Sequence, residues 1–423
     1  LRRIGFSVGI LDCSAEGLEH KGAQRRLQEL SPDVVITAVG TSTLANDRAF
    51  LARAKEESGG GLITVACGTH ATILPQELLG DGGVDYVVRG EPEVTCGELC
   101  ATLAEGRDVD GIEGLSFLRM GKTISAAERQ LIEDIDELPP PARDLLPSGA
   151  YSPPFAGGGR FATLLTTRGC PYPCIYCSTA AYFGRTLRRH SVGRVMEEIG
   201  QIERDYDAYG FWDDTFTLSK PYVIAICRGI MERGYSLPWI CMSRVDTVDG
   251  EMLSAMKSAG CRLIVYGVES GSPPVQKVLR KGITIPQIES AFRLTRRAGI
   301  ESAAFFMFGT PGETLRDISA TMELALRLGA DYASFNITTP YPGTPLYSMQ
   351  DGDTSGWQHY DARHAPAGKA QILEELLNRA YRAFYLRPEY ILRRLSKMSR
   401  PGELLTLARA GISVVRRYLF GQK

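Results

Sequence analysis

Three of the ten cysteines in this 423-residue chain stand together, in Arg168-Gly169-Cys170-Pro171-Tyr172-Pro173-Cys174-Ile175-Tyr176-Cys177. Thiolates are soft ligands that suit iron–sulfur clusters and zinc. Three thiolates on one loop can each bind one iron of a cubane and leave the fourth iron open to substrate. Structural zinc wants four closed ligands in paired spacings. The nearest fourth candidate, His190, follows Cys177 at an unusual distance. The C-x3-C-x2-C spacing therefore favours a cluster over a zinc clip or three core cysteines. The other seven, Cys13, Cys67, Cys96, Cys100, Cys227, Cys241 and Cys261, read as small packing residues.

Other polar groups follow apolar runs. Asp213 and Asp214 come after the run 209–212. Paired carboxylates there either turn the chain and cap a helix or hold a cationic group. Arg244 ends the run 239–243, with a plain surface Arg as the alternative. Glu269 and Ser270 follow 263–267, and a Glu after so apolar a run needs a partner or water. In Gly309-Thr310-Pro311-Gly312-Glu313, Thr310 reads as an N-cap, Pro311 as N1 and Glu313 as the N3 member of a capping box. Glycines at a helix start also let a ligand approach the backbone.

The elements that must position these groups are legible as well. Net charge is −1, with 23% charged and 44% hydrophobic residues, which excludes a disordered tail protein and a strongly basic nucleic-acid binder. No run of about 18 apolar residues is present to span a bilayer. Two or three domains are expected from the length. Strand-like runs at 33–39, 62–66 and 84–88 alternate with helices at 44–57 and 74–79, the pattern of a doubly wound parallel sheet. A hairpin at 115–124 turns at Gly121-Lys122. Leu138-Pro139-Pro140-Pro141-Ala142 marks a boundary. Strands at 161–167, 209–212, 239–243, 263–267, 303–308 and 333–338 alternate with helices at 192–204, 222–233, 285–297 and 315–328. Six such units make a partial TIM-like (β/α)6 barrel, whose ligands gather at the carboxyl ends of the strands. The expected domains are thus 1–137, a linker 138–155, a barrel 156–350 and a helical region 351–423, with helices at 369–385 and 403–419 divided by Arg387-Pro388. From Arg387 onward nine Lys/Arg face two Glu. That is either a solvated cap or a basic surface for a membrane or lipid-like substrate.

The cysteine motif, with Tyr176 before its last cysteine, resembles that of the radical S-adenosylmethionine enzymes. The resemblance implies a 4Fe–4S cluster on Cys170, Cys174 and Cys177, with S-adenosylmethionine chelating the open iron and cleaved to a 5′-deoxyadenosyl radical. It implies S-adenosylmethionine contacts at Tyr176, Asp213, Asp214, Arg244, Glu269, Ser270, Gly309, Pro311 and Glu313: the amino group at the aspartates, the carboxylate at Arg244, the ribose at Glu269, adenine and methionine moieties near Gly309–Glu313.

The front third resembles the cobalamin-binding domain that precedes this barrel in one branch of the family. Gly40-Thr41-Ser42-Thr43-Leu44 matches an S-x-L element, Cys67-Gly68-Thr69-His70-Ala71-Thr72 a G-G-x-H-A-T element, and Arg89-Gly90-Glu91-Pro92-Glu93 a G-E-x-E element. Cobalamin contacts are thereby implied at Thr41, Ser42, Leu44, Gly68, Thr69, His70, Gly90 and Glu91, although His70 alone reads as a satisfied core or surface histidine. Cys67 replaces the usual Gly. The chain starts at Leu1, and the resemblance places the Rossmann-like domain's first strand, with any Asp-x-His-x-x-Gly cobalt ligand, before it. The tail Phe384–Pro388 looks like that of the anaerobic magnesium-protoporphyrin ester cyclases and hopanoid methylases. The whole implies a cytoplasmic enzyme that methylates an unactivated carbon of a small, lipid-like substrate. The alternatives are an oxidative cyclase or rearrangement enzyme with the same parts, and a non-catalytic cobalamin or redox sensor. A flavodoxin or ferredoxin would supply electrons, and the basic tail would allow peripheral membrane contact.

Overall fold

The computed structural model describes residues 1–147, 149–151, 159–349 and 370–396. Three parallel strands, β1 (Val34–Ala38), β2 (Ile63–Cys67) and β3 (Tyr86–Val88), continue into an antiparallel hairpin of β4 (Leu115–Arg119) and β5 (Lys122–Ser125), in that spatial order. Alternate residues feed two cores. Ala66 and Val87 pack with Leu51 and Leu78 on one face, and Val65 and Val88 with Leu99 and Leu115 on the other. The hairpin loop is Met120-Gly121, one residue earlier than expected, because Arg119 pairs with Lys122. The expected helix 74–79 is present as Pro75–Leu79, and a further short helix, Thr69–Ile73, precedes it and stops before Leu74, the residue before Pro75, where the α conformation is disfavoured. Helices His20–Leu30 and Pro92–Ala104 were not anticipated.

The second sheet begins with β6 (Phe161–Leu164). The expected strand 161–167 stops there. Thr167–Arg168 leaves the sheet as β7 and pairs antiparallel with β8 (Arg188–Arg189). Then β9 (Ala208–Phe211), β10 (Trp239–Arg244), β11 (Cys261–Glu269), β12 (Glu301–Phe308) and β13 (Tyr332–Ile337) complete six parallel strands ordered β13-β12-β11-β10-β9-β6. This is the sequential order of a barrel wall. The four expected helices are present, and Gly250–Ser258 and the shorter Pro273–Leu279 are unforeseen additions between them.

Period-two alternation divides these strands. Ile240, Leu263, Val265 and Ala303 join Phe161 and Ala208 in the barrel interior. Trp239, Cys241, Ile264, Tyr266, Ala304 and Phe306 point outward, into the main core shared with the helices. Continuing the inward series to the carboxyl ends gives Met242 and Arg244, Gly267 and Glu269, Phe305 and Met307. The interior is thus apolar below and polar at its mouth.

The helix Ala370–Tyr385 covers the edge strand β13. The Tyr385 hydroxyl accepts from Ala333 N at 2.9 Å and donates to Ala333 O at 2.8 Å. Tyr381 serves Phe335 in the same way, at 3.1 and 3.2 Å, and the Tyr390 hydroxyl donates to Asp331 O at 3.0 Å. Tyrosines thereby take the place of a neighbouring strand at an edge that would otherwise invite pairing. The next helix starts at Pro388, as N1.

Of the basic tail, Arg387, Arg393 and Arg394 are described, and all three bind the barrel. They reach Leu326 O, Gly329 O with Ala330 O, and Glu301 with the Tyr332 hydroxyl. The expected helix 403–419 and the remaining basic residues lie outside the described residues. Among the described residues no helix is long and apolar enough to cross a membrane.

Candidate active site

The cysteine loop leaves β7 and is pinned at three places. Cys170 N donates to Gly184 O at 3.3 Å, Ile175 N to Leu279 O at 3.1 Å, and Leu346 N to Ile175 O at 2.9 Å. Cys170, Cys174 and Cys177 are free, half-buried thiols on the wall of one cavity of about 350 Å3 at the carboxyl ends of the strands. Burial pushes the thiols of Cys170 and Cys177 up. Cys177 Sγ donates to Thr179 Oγ1 at 3.2 Å, and Thr179 in turn donates to Asp214 Oδ1 at 2.8 Å. Six of the other cysteines are buried, and Cys13 is partly so. His190 is not on the wall of that cavity, and its Nδ1 lies 2.8 Å from Asp136 Oδ1.

Inward alternation delivers Arg244 and Glu269 to this cavity, as expected. Arg244 is fully engaged. It makes two 2.9 Å bonds to Asp246, one of 2.7 Å to Lys281 O, and a stack 3.5 Å from the Tyr172 ring centroid. Its Nη1 lies 3.8 Å from Cys174 Sγ. Its charge thus serves the cysteine loop and has no free donor pair for a bidentate carboxylate. Glu269 sits at a bulge with φ 67°, an uncommon conformation for Glu that marks local strain. Its Oε1 accepts from Lys281 Nζ at 2.6 Å and from the Tyr176 hydroxyl at 3.0 Å. A Cβ on Gly267 would stand 2.6 Å from both Glu269 Oε1 and Lys281 Nζ, so a larger residue there would push the ends of the pair aside. Lys281 escaped the sequence reading. No local signal marks it, since its sequence neighbours are Arg280 and Gly282.

Several expected residues lie elsewhere. Asp213 is fully buried away from the cavity. Its Oδ1 accepts from Thr166 N, Thr166 Oγ1 and Thr167 Oγ1 at 3.0, 2.9 and 2.6 Å, clamping the chain where it leaves β6. Asp214, the next residue, faces the cavity instead. Ser270 is buried against Thr321, with 3.0 Å between the hydroxyls. Gly309, Pro311 and Glu313 also lie off the cavity wall. Glu313 accepts from Gly309 N at 2.5 Å and Thr310 N at 3.1 Å, so it closes the turn. The helix itself starts later, at Leu315, under a capping box of Thr314 and Asp317. The expected box of Thr310 and Glu313 is therefore displaced.

In the first domain, Thr41 and His70 are buried together, Oγ1 to Nδ1 at 3.2 Å, with His70 Nε2 3.3 Å from Glu77. Burial lowers the His70 pKa, against the opposing pull of Glu77. Leu44 is core. A Cβ on Gly68 would stand 3.0 Å from Val39 O, so its glycine is explained by chain packing. Glu91 faces the barrel domain and bonds Arg168 and Arg188. Ser42 is exposed, and Thr69 and Gly90 are partly exposed, at the ends of β1, β2 and β3. The helix Thr69–Ile73 packs on the helix Thr179–Tyr182, immediately after the cysteine loop.

A model of the radical SAM superfamily matches residues 164–325, and one of the B12 binding domain matches 1–100. An uncharacterized methyltransferase of Pyrococcus horikoshii is 36% identical over 91% of this chain and 86% of its own. The anaerobic magnesium-protoporphyrin IX monomethyl ester cyclase of Cereibacter sphaeroides is 27% identical over 92% of this chain and 65% of its own. The hopanoid C-3 methylase of Methylococcus capsulatus is 25% identical, over 86% and 70%. The fold is shared with the methyltransferase TsrM of Kitasatospora setae, solved with cobalamin and a 4Fe–4S cluster, at TM-score 0.68, 21% identity, 82% of this chain and 69% of that one. It is shared too with OxsB, solved with aqua-cobalamin and S-adenosylmethionine, at TM-score 0.72, 17% identity, 97% of this chain and 66% of that one.

Proposed function

The chain belongs to the radical S-adenosylmethionine superfamily, in the branch carrying a B12-binding domain, and we propose that it transfers a methyl group to an unactivated carbon of a small-molecule substrate. It is an enzyme, and its cofactors are a 4Fe–4S cluster, S-adenosylmethionine and cobalamin. The observation that carries the reading is the convergence of three free thiols with Asp214, Glu269 and Lys281 on one cavity. Soft, unpaired sulfur donors on one loop suit a cluster with an open iron.

When bound, these groups supply a carbon-centred radical that takes hydrogen from the substrate and a methyl donor that caps the site. The chain's own residues bind, orient and exclude water. Cys170, Cys174 and Cys177 hold the cluster, with the Arg244 guanidinium beside Cys174. Asp214 offers a carboxylate to the cofactor's ammonium group. Glu269 keeps Oε2 for ribose hydroxyls while Oε1 is held by Lys281 and Tyr176. Met242, Val265 and Met307 give the cavity an apolar wall that keeps out water. On the first domain, Ser42, Thr69 and Gly90 are the residues left to approach cobalamin. A hydrophobic, lipid-like substrate agrees with the hopanoid methylase relative.

Oxidative cyclisation without methyl transfer is the second reading, favoured by the cyclase relative. Anaerobic turnover of reconstituted enzyme with a small-molecule extract separates the two. Methyl transfer yields both 5′-deoxyadenosine and S-adenosylhomocysteine. Formation of 5′-deoxyadenosine alone would sink it in favour of cyclisation.

A further inference from the structure

Glu91 stands on the loop after β3, in the B12-binding domain, yet it is only 5% exposed. Arg168 Nη1 donates to its Oε1 at 2.8 Å, Arg188 Nη1 to Oε1 at 3.0 Å and Oε2 at 2.8 Å, and Ile132 N to Oε2 at 2.8 Å. Burial pushes the carboxyl up, but the bonds from Arg188, Arg168 and Ile132 outweigh it and hold it below the usual carboxylate range. A carboxylate this deep persists only with such partners. With both oxygens occupied, nothing of it is left for a corrin.

Its two arginines face each other across the β7–β8 ribbon. That ribbon presents the cysteine motif, since Arg168 is followed by Gly169 and Cys170. Gly169 has φ 88°, and a Cβ there would stand 2.3 Å from Thr186 O, on the opposite arm of the ribbon. Arg188 also donates to Phe183 O at 2.9 Å, and the neighbouring Gly184 O receives Cys170 N. The ribbon and the first cysteine therefore move as one piece, and Glu91 holds that piece from the other domain.

We propose that Glu91 is a positioning residue for the cluster: it reaches from the B12-binding domain to Arg168 and Arg188 and fixes the ribbon that presents Cys170. This rests on Cys170 as a cluster ligand. Groups that orient metal ligands typically change affinity by about 10–100-fold when removed. The coupling also gives the B12-binding domain a physical grip on the cluster loop.

The test uses the full chain, reconstituted anaerobically, and compares wild type with Glu91→Gln, Arg168→Gln and the double variant. The readouts are cluster loss to an iron chelator, the electron paramagnetic resonance spectrum of the reduced cluster, and affinity for hydroxocobalamin. Each single variant should lose its cluster on the order of tenfold faster and shift the spectrum. The effects should be less than additive in the double variant, because the Glu91–Arg168 bond is lost in both single variants, while Arg188 still holds Glu91 and Glu93 still holds Arg168 when only the other partner is changed. Cobalamin affinity should stay within about twofold, which is under about 0.5 kcal/mol by the tenfold-per-1.4 kcal/mol rule. Should Glu91→Gln fold poorly, Arg168→Gln reports the same link from the barrel side. Unchanged cluster loss and spectrum in a folded single variant, additive effects in the double variant, or a large loss of cobalamin affinity with an intact cluster would each overturn the proposal. Failure of wild type to bind iron would instead overturn the cluster reading beneath it.

Discussion

Lys281 Nζ lies 2.6 Å from Glu269 Oε1 and 3.2 Å from the Tyr176 hydroxyl, with both charged side chains almost wholly buried beside the cysteine loop. Removing one partner of such a pair leaves an uncompensated charge, which typically costs about 3–5 kcal/mol. Lys281→Met should therefore lower stability by about that amount and weaken S-adenosylmethionine binding by on the order of tenfold. The double variant Lys281→Met with Glu269→Gln should recover much of the stability, because no lone charge remains, without recovering binding. Thermal melts and calorimetric titration measure the two effects separately. Recovery of both together would show the pair to be only structural.

Asp213 and Asp214 make a sharper contrast. Burial pushes the Asp213 carboxyl up to about 6, against the hydrogen bonds of Thr167 and Thr166. The folded chain then holds a proton at pH values where the unfolded chain has released it. This contribution to stability is complete below the ordinary aspartate value of 3.8 and is lost as pH rises through about 6. Asp213→Asn, which still accepts those bonds, should flatten the urea-unfolding profile across that window and leave S-adenosylmethionine affinity within about twofold. Asp214→Asn should instead weaken binding by on the order of tenfold, since its carboxylate faces the cavity. Equal effects on binding would undo the distinction.

That pair shows why the site was only partly legible in the sequence. Strand positions and the cysteine spacing were readable because period-two patterns and a dense motif are local. Whether Asp213 or Asp214 faces the cavity depends on where β9 ends, and a one-residue change reverses the face. Lys281 lies twelve residues after Glu269, beyond an intervening helix, so no local pattern links them. Glu91 resembled part of a cofactor element because its partners, Arg168 and Arg188, come from another domain. The turn at Gly309 mimicked a helix start because Glu313 makes cap-like bonds to Gly309 and Thr310 four residues ahead of the real capping box of Thr314 and Asp317.

His70 is wholly buried, with Thr41 on one ring nitrogen and Glu77 near the other. Such a ring is held as a core residue and is not presented to cobalt. His70→Gln should cost about 1–3 kcal/mol, the scale of one disrupted buried polar group. The absorbance and electron paramagnetic resonance spectra of bound cobalamin should not change. Because burial lowers the folded-state pKa, the wild type should also lose stability as pH falls below 6.5, and the variant should lose less. Loss of a nitrogen-coupling signature from cobalt in His70→Gln would contradict this.

The tyrosines on β13 test how the barrel is closed. Tyr385 bridges both backbone groups of Ala333 and Tyr381 those of Phe335, alternate residues of one strand edge. Tyr381 and Tyr385 are four apart on the helix Ala370–Tyr385, one above the other on the same face, as spacing two apart along the strand requires. Tyr385→Phe keeps the ring and removes only the hydroxyl, leaving an amide and a carbonyl at the covered edge without it. The cost should be about 1–3 kcal/mol in chemical denaturation. Faster amide exchange should be confined to β13 and its neighbours. The double variant Tyr381→Phe with Tyr385→Phe should cost at least the sum of the single changes, since one remaining hydroxyl still holds the helix in register for the other. A cost near zero in the double variant would mean that water replaces both hydroxyls freely and that the ring packing around Phe335 and Phe384 closes the edge unaided.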